Sequence, residues 1–255
     1  KWETRPIKRD EVTAVRRHRG KNVVTGILMF PELCNKFMGL SLTDGEYVYS
    51  ASDEEDFYCF SRNDGSLVWS FKLDGLVQKT HKNPSDSRFV NFPSQPICEK
   101  DTICYGLPSR GLLALGAKSG KKKWYIRLPG PVFWQPKLSG KRLLATSGCW
   151  LYTVDMENGK PLWKCKLPAK ATGEVLVKDR LCYVPCSDSN KSTVCAVNLN
   201  EGKLIWSIRL QSKIVSKLSL SRGKVKFATI DRVFHAVSAN SGKYFWKRHD
   251  ANMIP

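Results

Sequence analysis

One spacing recurs along the whole chain: a glycine stands four residues before a tryptophan, and it does so five times. The tryptophans follow one another at intervals of 55, 39, 43 and 40 residues. A period near forty residues is the length of one four-stranded blade of a β-propeller. The pairs are Gly65/Trp69, Gly120/Trp124, Gly159/Trp163, Gly202/Trp206 and Gly242/Trp246.

Each repeat predicts a β-hairpin. In the third copy, a short apolar run at 151–154 precedes a polar turn that ends at Gly159, which supplies the positive φ such a turn requires. Trp163, Cys165 and Leu167 then alternate with polar residues, as in a half-buried strand. A tryptophan at one fixed place fills the space between neighbouring units. We predict an all-β fold, a β-propeller of about five four-stranded blades.

The repeats also resemble a known family. They run TVDMENGKPLW, AVNLNEGKLIW, AVSANSGKYFW, CFSRNDGSLVW and, in a degraded form, ALGAKSGKKKW. This pattern resembles the tryptophan-docking repeat of the pyrroloquinoline-quinone-type β-propellers, over roughly residues 34–250. The family includes quinone-dependent dehydrogenases, and also sensor domains and scaffolds that bind no cofactor, so the resemblance implies the fold rather than the activity.

The dehydrogenases of that family use eight blades, a disulfide between adjacent cysteines, and calcium held by acidic and amide side chains. Five repeats are countable here, and none of the nine cysteines are adjacent. The sequence also lacks an HExxH, a GxSxG and a dinucleotide-binding motif. The resemblance therefore implies the scaffold without the catalysis, and we expect no catalytic residue, cofactor or metal.

We place the propeller at residues 34–255 and a basic N-terminal segment at 1–33. This segment does not fit the repeat; by pairing with the last blade it could complete that blade or make a sixth. The second blade is about fifteen residues longer than the others, and the excess falls at 79–93. This insertion is either a loop that contacts a partner or the result of sequence drift alone. In the third blade we expect strands at 132–138, 142–147, 150–155 and 162–167.

Cysteine usage and hydropathy suggest a compartment. The odd number of cysteines, without short paired spacings, favours buried free thiols in a reducing environment. No run of eighteen apolar residues occurs, so we expect no transmembrane segment. We therefore expect an intracellular protein of the cytoplasm or an organelle matrix.

The formal net charge of +19 points to a polyanionic partner. No Asp or Glu occurs from Thr102 to Val154, and the N-terminal segment adds a second basic run. The aromatic residues within the acid-free stretch could stack unpaired bases or could pack between sheets. The predicted phosphate-binding residues are Arg16, Arg17, Arg19, Lys118, Lys121, Lys122, Lys123, Arg127, Lys137, Lys141 and Arg142.

A second basic set follows the repeat itself. The position three residues after each tryptophan holds a cation or a histidine, which would form a charged belt. If the tryptophan strand is the outermost of its blade, such residues also block the pairing of further strands. These belt residues are Lys72, Arg127, Lys166, Arg209 and His249.

These observations favour a non-catalytic, strongly basic interaction module, an accessory subunit of a ribonucleoprotein assembly such as a ribosome, bound to RNA and to other protein subunits. The alternative is a protein scaffold that docks an acidic partner, in membrane-protein assembly or on a cytoskeletal complex. A third and weaker hypothesis is an enzyme or sensor that binds an anionic small molecule in the central channel.

Overall fold

The structure is a computed structural model, and it describes residues 2–3, 15–18, 21–23, 41–51, 56–73, 94–108, 111–189 and 191–249. The described residues form β-strands joined by turns, without a helix, which confirms the all-β prediction. Accordingly, none of them forms a helix long and apolar enough to cross a membrane. The chain divides into two compact units, residues 1–133 and 134–255.

The first unit contains a short three-stranded antiparallel sheet and two blades. The short sheet has the order β1-β2-β3, with β1 at Trp2–Glu3, β2 at Val15–His18 and β3 at Lys21–Val23. Blade one consists of β4 Leu42–Thr43, β5 Tyr47–Ala51, β6 Asp56–Ser61 and β7 Leu67–Lys72. Blade two consists of β8 Ile97–Glu99, β9 Thr102–Leu107, β10 Gly111–Gly116 and β11 Lys122–Arg127.

The second unit contains three blades. Blade three consists of β12 Lys137–Ser139, β13 Arg142–Ser147, β14 Trp150–Asp155 and β15 Pro161–Lys166. Blade four consists of β16 Lys170–Ala171, β17 Leu176–Lys178, β18 Leu181–Ser187, β19 Ser192–Asn198 and β20 Leu204–Arg209, with β16 and β17 both paired to β18. Blade five consists of β21 Ser219–Ser221, β22 Lys224–Ala228, β23 Val233–Ser238 and β24 Tyr244–His249.

Three of the repeated tryptophans join a blade to the next one in the same unit. The indole Nε1 donates to a carbonyl three residues before the next repeat's glycine, at 2.7 Å from Trp69 to Ala117, 3.0 Å from Trp163 to Leu199 and 2.9 Å from Trp206 to Ala239. The ring also lies flat on that glycine, because a Cβ built on Gly202 would stand 2.6 Å from the Trp163 ring. Gly120 meets Trp69 and Gly242 meets Trp206 in the same way. The glycine is therefore required twice, by the docked ring and by its own φ of +65° to +77° in the five repeats.

The other two repeated tryptophans belong to the last repeat of each unit. Trp124 pairs with Ala114 and is only 8% exposed, and its packing against the following repeat remains a prediction. Trp246 is half-buried, and the guanidinium carbon of Arg248 lies 5.5 Å from its ring centroid. The packing of Trp246 between two blades remains a prediction. The Arg248 guanidinium makes a cation–π contact with the ring.

Each tryptophan strand lies at one edge of its sheet, and we call it the outer strand. The residue directly before the tryptophan is an extra one in the pairing, since Trp163 pairs with Thr153 while Pro161 pairs with Val154. The same β-bulge occurs in all five blades. A bulge twists an edge strand and disrupts its hydrogen-bonding row, so it protects the edge from pairing with another chain.

The apolar cores lie between neighbouring blades rather than within one. Within the first unit, Tyr49 and Phe57 of blade one pack with Tyr105 and Leu113 of blade two in one buried cluster. Within the second unit, one cluster joins blades three and four and another joins blades four and five. No blade covers its own apolar faces, which is the physical reason that the repeats must stack.

Of three further expectations from the sequence, one is wrong and two lie outside what the described residues test. The strand predicted at 132–138 is wrong: β12 begins only at Lys137, because Pro136 lacks the N–H that a paired strand needs and the preceding residues form a loop. The long insertion at 79–93 lies outside the described residues. The N-terminal strands β1 to β3 pair with one another, and the boundary at residue 33 lies in an undescribed stretch, so the domain limits remain a prediction.

Candidate functional site

Four of the predicted phosphate-binding residues lie on or beside one turn of the first unit. We call residues 116–123, which connect β10 to β11, the lysine hairpin. The side chains of Lys118, Lys121 and Lys122 are exposed at its tip. Lys123 is held instead, with Nζ 3.3 Å from Asp101 Oδ2 and 2.9 Å from Thr102 Oγ1. The hairpin thus presents a small cluster of cations on a convex turn.

The other predicted residues of this set are not all brought to one place. Arg127 lies at the far end of β11 from Lys122, about 17 Å along the strand. In the second unit, Lys137 starts β12, whereas Lys141 and Arg142 lie at the turn where β12 ends. Arg16 and Arg17 lie in β2, and Arg19 is outside the described residues. The phosphate-binding role of the set remains a prediction.

The belt residues are exposed at the ends of the outer strands, but two of them are engaged. Arg209 Nη2 lies 2.9 Å from Asp188 Oδ2, and Lys72 Nζ lies 3.8 Å from Asp56 Oδ2. Each of these two cations is paired with a separate carboxylate, so each pair carries no net charge to attract a ligand. Edge protection therefore explains these positions at least as well as a phosphate track does.

The second unit contains a concave site that the charge pattern did not predict. A cavity of about 310 Å³ lies where three loops meet at the start of β12, β17 and β21. Its walls are mostly apolar, and two of its apolar side chains, Trp134 and Val215, are 37% and 60% exposed. We call this cavity the loop pocket. The residues that form it are Trp134, Lys137, 172–176, Pro185 and 214–218.

Backbone hydrogen bonds fix the two longer loops of the pocket. Thr172 N donates to Pro185 O at 2.9 Å, and Gly173 lies so close to the Pro185 ring that an added Cβ would stand 2.9 Å from it. On the opposite wall, Val215 N donates to Ala228 O at 3.0 Å, and Ala228 N donates back to Ser216 Oγ at 2.8 Å. The pocket is therefore built into the blades rather than formed by free loops.

Trp134 is held as well. Its indole Nε1 donates to Ala171 O at 3.3 Å, which ties the loop before β12 to the connection that leads into blade four. The sequence placed Trp134 in a strand at 132–138 and left open whether its ring packs between sheets or stacks an unpaired base. The break at Pro136 instead leaves it on the pocket wall.

An ion-pair bridge crosses the pocket. Glu174 accepts from Lys137 at 2.9 Å through Oε2 and from Lys217 at 3.0 Å through Oε1. Burial by itself would raise the pKa of Glu174, but the hydrogen bonds and charges of the two lysines outweigh it and lower the pKa. The carboxylate is thus ionised and satisfied, and the Lys217 side chain remains 84% exposed.

The pocket segments have an excess of cations. Residues 134–137, 168–176 and 211–218 contain four lysines and one glutamate. The lysines are Lys137, Lys170, Lys213 and Lys217. The signal that could have found this site was present in the sequence, since residues 213–249 hold nine Lys and Arg but only one acid, Asp231. The net positive charge per residue is higher there than in the stretch from 102 to 154.

Six of the eight described cysteines are buried, and so is His235. The eight described cysteines are free thiols; burial raises the pKa of the Cys59 thiol to about 12 and that of Cys98 to about 11. Thiols with such pKa values are poor nucleophiles at neutral pH. His235 is buried, and its Nε2 lies 3.0 Å from Thr229 Oγ1, whose hydroxyl donates to Asp231. The imidazole is therefore held through Nε2, while its buried Nδ1 has no hydrogen-bond partner among the described residues.

The donors expected for a quinone and its calcium do not fit this chain. The sequence has no adjacent cysteines. Among the described residues, no group of three or more His, Cys, Asp or Glu side chains comes together to hold a metal ion.

Comparison with known proteins agrees with the architecture. A family model described as outer membrane protein assembly factor BamB matches residues 8–105 and 147–254. Among solved structures, BamB from Moraxella catarrhalis superposes with a TM-score of 0.69 at 16% identity, over 95% of this chain and 68% of that chain. A search of curated proteins gave no match.

Two enzymes share the fold at lower coverage of their own length. Quinohemoprotein alcohol dehydrogenase ADHIIG from Pseudomonas putida HK5 has a TM-score of 0.59 at 12% identity, over 82% of this chain and 41% of that chain. A europium-containing methanol dehydrogenase has a TM-score of 0.65 at 11% identity, over 84% and 50%. At these identities the likeness shows the fold alone. Because the family model covers most of the sequence, the chain belongs to the BamB family of pyrroloquinoline-quinone-type repeat β-propellers.

Proposed function

We propose that this chain is a non-catalytic protein-docking β-propeller and that the loop pocket is its docking site. One observation carries the proposal: a preformed pocket exposes Trp134 and Val215 beside charged lysines. An apolar centre with a polar rim is the usual composition of a protein interface. Exposed aromatic side chains are also enriched among the residues that dominate binding energy.

The family supports the same class of function. The BamB model is described as an outer membrane protein assembly factor, so that relative acts in the assembly of other proteins. The fold is equally that of quinoprotein dehydrogenases. The raised pKa of a buried thiol such as Cys59 and the buried position of His235 favour the scaffold over the enzyme. The free thiols favour a reducing, intracellular compartment.

The proposal is tested by purifying tagged protein from its native cells after nuclease treatment, with matched variants. Val215→Asp places a carboxylate on the pocket wall. Leu204→Asp makes the same change at an apolar residue that is 44% exposed on the outer strand of blade four. We expect a set of partner proteins that Val215→Asp loses and Leu204→Asp retains. Partners that survive both variants would place the docking surface elsewhere.

The lysine hairpin supports a second candidate, the accessory subunit of a ribonucleoprotein assembly such as a ribosome. Its exposed cations could contact phosphates without any pocket. The same purification tests it when nuclease is omitted and the salt concentration is raised. RNA that remains at low salt, leaves at high salt and is lost from a Lys121→Glu, Lys122→Glu variant would favour this function.

A further inference from the structure

The walls of the loop pocket select the kind of group that can enter it. Ile214, Val215, Leu218 and Leu176 are aliphatic, and Trp134 is the single aromatic ring among the lining residues. A row of stacked bases needs several flat rings, whereas one apolar side chain needs a concave aliphatic surface. A volume of about 310 Å³ accommodates a large side chain together with part of its backbone.

The charges around the walls select what stands beside that side chain. Glu174 could attract a cation, but Lys137 and Lys217 already occupy both of its oxygens. The pocket segments carry an excess of lysines, of which Lys170, Lys213 and Lys217 are exposed, and Asp231 accepts from Ser212 Oγ at 2.7 Å beside them. A basic segment would be repelled there, and a segment with carboxylates would be attracted.

We propose that the loop pocket binds an acidic, extended segment of a partner protein, with one apolar side chain held between Trp134 and Val215. Carboxylates on either side of this anchor pair with Lys213 and Lys217. The proposal rests on the proposed docking function and names its partner by chemistry: an acidic peptide with a single apolar anchor. The Glu174 bridge positions Lys217 in advance, so less side-chain freedom is lost on binding.

The test uses the full chain and a phage-displayed library of random heptapeptides. We expect the selected peptides to share one aliphatic or aromatic residue flanked by Asp or Glu. Synthetic copies, labelled for fluorescence anisotropy, should bind at least about tenfold more weakly to Val215→Asp and to Lys217→Glu.

Two control variants match these changes in kind. Leu204→Asp alters an exposed apolar residue away from the pocket, and Lys203→Glu alters a lysine that is 76% exposed and paired with Glu201 at 3.0 Å. Both should bind the peptides as the unmodified protein does. Urea unfolding of each variant shows whether a lost interaction reflects lost fold.

The outcomes separate this inference from the function on which it rests. Peptides that need Val215 but carry no acidic residues, or that carry Lys and Arg, would overturn the acidic partner and leave a docking pocket. Peptides that bind all four variants alike would overturn both. Competition at the pocket by single-stranded RNA, stronger than that of the peptides, would also overturn the acidic partner.

Discussion

The lysine hairpin and the loop pocket hold cations in opposite ways. On the hairpin, Lys118, Lys121 and Lys122 stand on a convex turn, and beneath them Lys123 is bonded to Asp101 and Thr102. In the pocket, Lys137 and Lys217 are drawn together by Glu174 around an apolar cavity. The hairpin presents cations on a turn without a cavity, whereas the pocket presents cations beside an apolar cavity.

This difference matters because charge alone gives little selectivity. Exposed lysines attract any polyanion, and salt screens that attraction. A cavity excludes water from an apolar contact and discriminates by fit. The pocket is therefore the region from which we expect specificity, and the hairpin at most a contribution to the rate or strength of association with anions.

The largest expected effect is a difference in stability between alanine variants of two tryptophans of the second unit, one in the scaffold and one in the pocket. Trp163→Ala removes a ring that docks on Gly202 and donates to Leu199, and should cost about 3–5 kcal/mol of unfolding free energy. Trp134→Ala removes a partly exposed ring and should cost far less while it weakens peptide binding. Urea unfolding of both variants, alongside anisotropy with Trp134→Ala, measures the contrast. Equal losses of stability would show that Trp134 is a scaffold residue too.

The next effect concerns salt. If the hairpin binds RNA, Lys121→Glu with Lys122→Glu should lower the slope of log K against log salt concentration by about two, because each lysine releases about one counterion. Peptide binding at the pocket should not change. Titration of a single-stranded RNA oligonucleotide at several salt concentrations measures the slope, and an unaltered slope removes the hairpin from nucleic-acid binding.

Blade five and the surroundings of the lysine hairpin should respond to different pH ranges. Burial lowers the pKa of His235 in blade five below 6.5, and the charge of Lys247 lowers it further, against the opposing effect of Asp231. The unfolded histidine takes up a proton below about pH 6.5 while the folded one resists, so stability falls as the pH drops from 7 towards 5. Asp101 beside the hairpin has a lowered pKa, through its bonds to Lys118 and Lys123, and its contribution is lost only below pH 3.8.

Urea midpoints between pH 7.5 and 5 check this prediction. His235→Gln should reduce the pH dependence in that range, since glutamine can still donate to Thr229 without titrating. His249→Gln is the control, because that histidine is exposed. An identical pH dependence in all three proteins would contradict the assignment.

The smallest effect is expected at the hairpin ion pair. Lys123→Ala breaks a contact at 3.3 Å between side chains that are 33% and 53% exposed, so it should cost no more than about 1 kcal/mol. Lys122→Ala, one residue earlier and exposed, should cost less still. A loss of several kcal/mol at Lys123 would mean that the hairpin is part of the scaffold.

The repeat predicted the fold because its spacing follows from how the blades dock. The ring of Trp163 docks on Gly202 of the next repeat. A glycine must therefore recur at a nearly constant distance along the sequence, and this recurrence is the repeat that the sequence shows. The same spacing could not predict the cation beside Trp246, since the other four repeats have an apolar residue at the position of Arg248. The bulge before each tryptophan was not predictable either, because one extra residue leaves the alternation after the tryptophan unchanged. Pro136 could have predicted the late start of β12, had its missing N–H been weighed.

The candidate site was harder to predict, since it depends on loops that meet only in the folded chain. Lys137 was selected from the sequence for its charge, but its partner Glu174 and the wall residue Val215 lie far away in the chain. The absence of Asp and Glu over a long stretch drew attention to 102–154. The same criterion missed residues 213–249, where a single acid, Asp231, interrupts a denser run of cations.

The central claim is that this propeller meets its partner at the pocket and not at the hairpin. A photo-crosslinking amino acid placed at Val215, or at Lys122 in a second protein, tests it directly in native cells. We predict nuclease-resistant crosslinks to an acidic segment of a protein from position 215 and no such product from position 122. RNA crosslinked at position 122, with no protein crosslinked at position 215, would contradict the account.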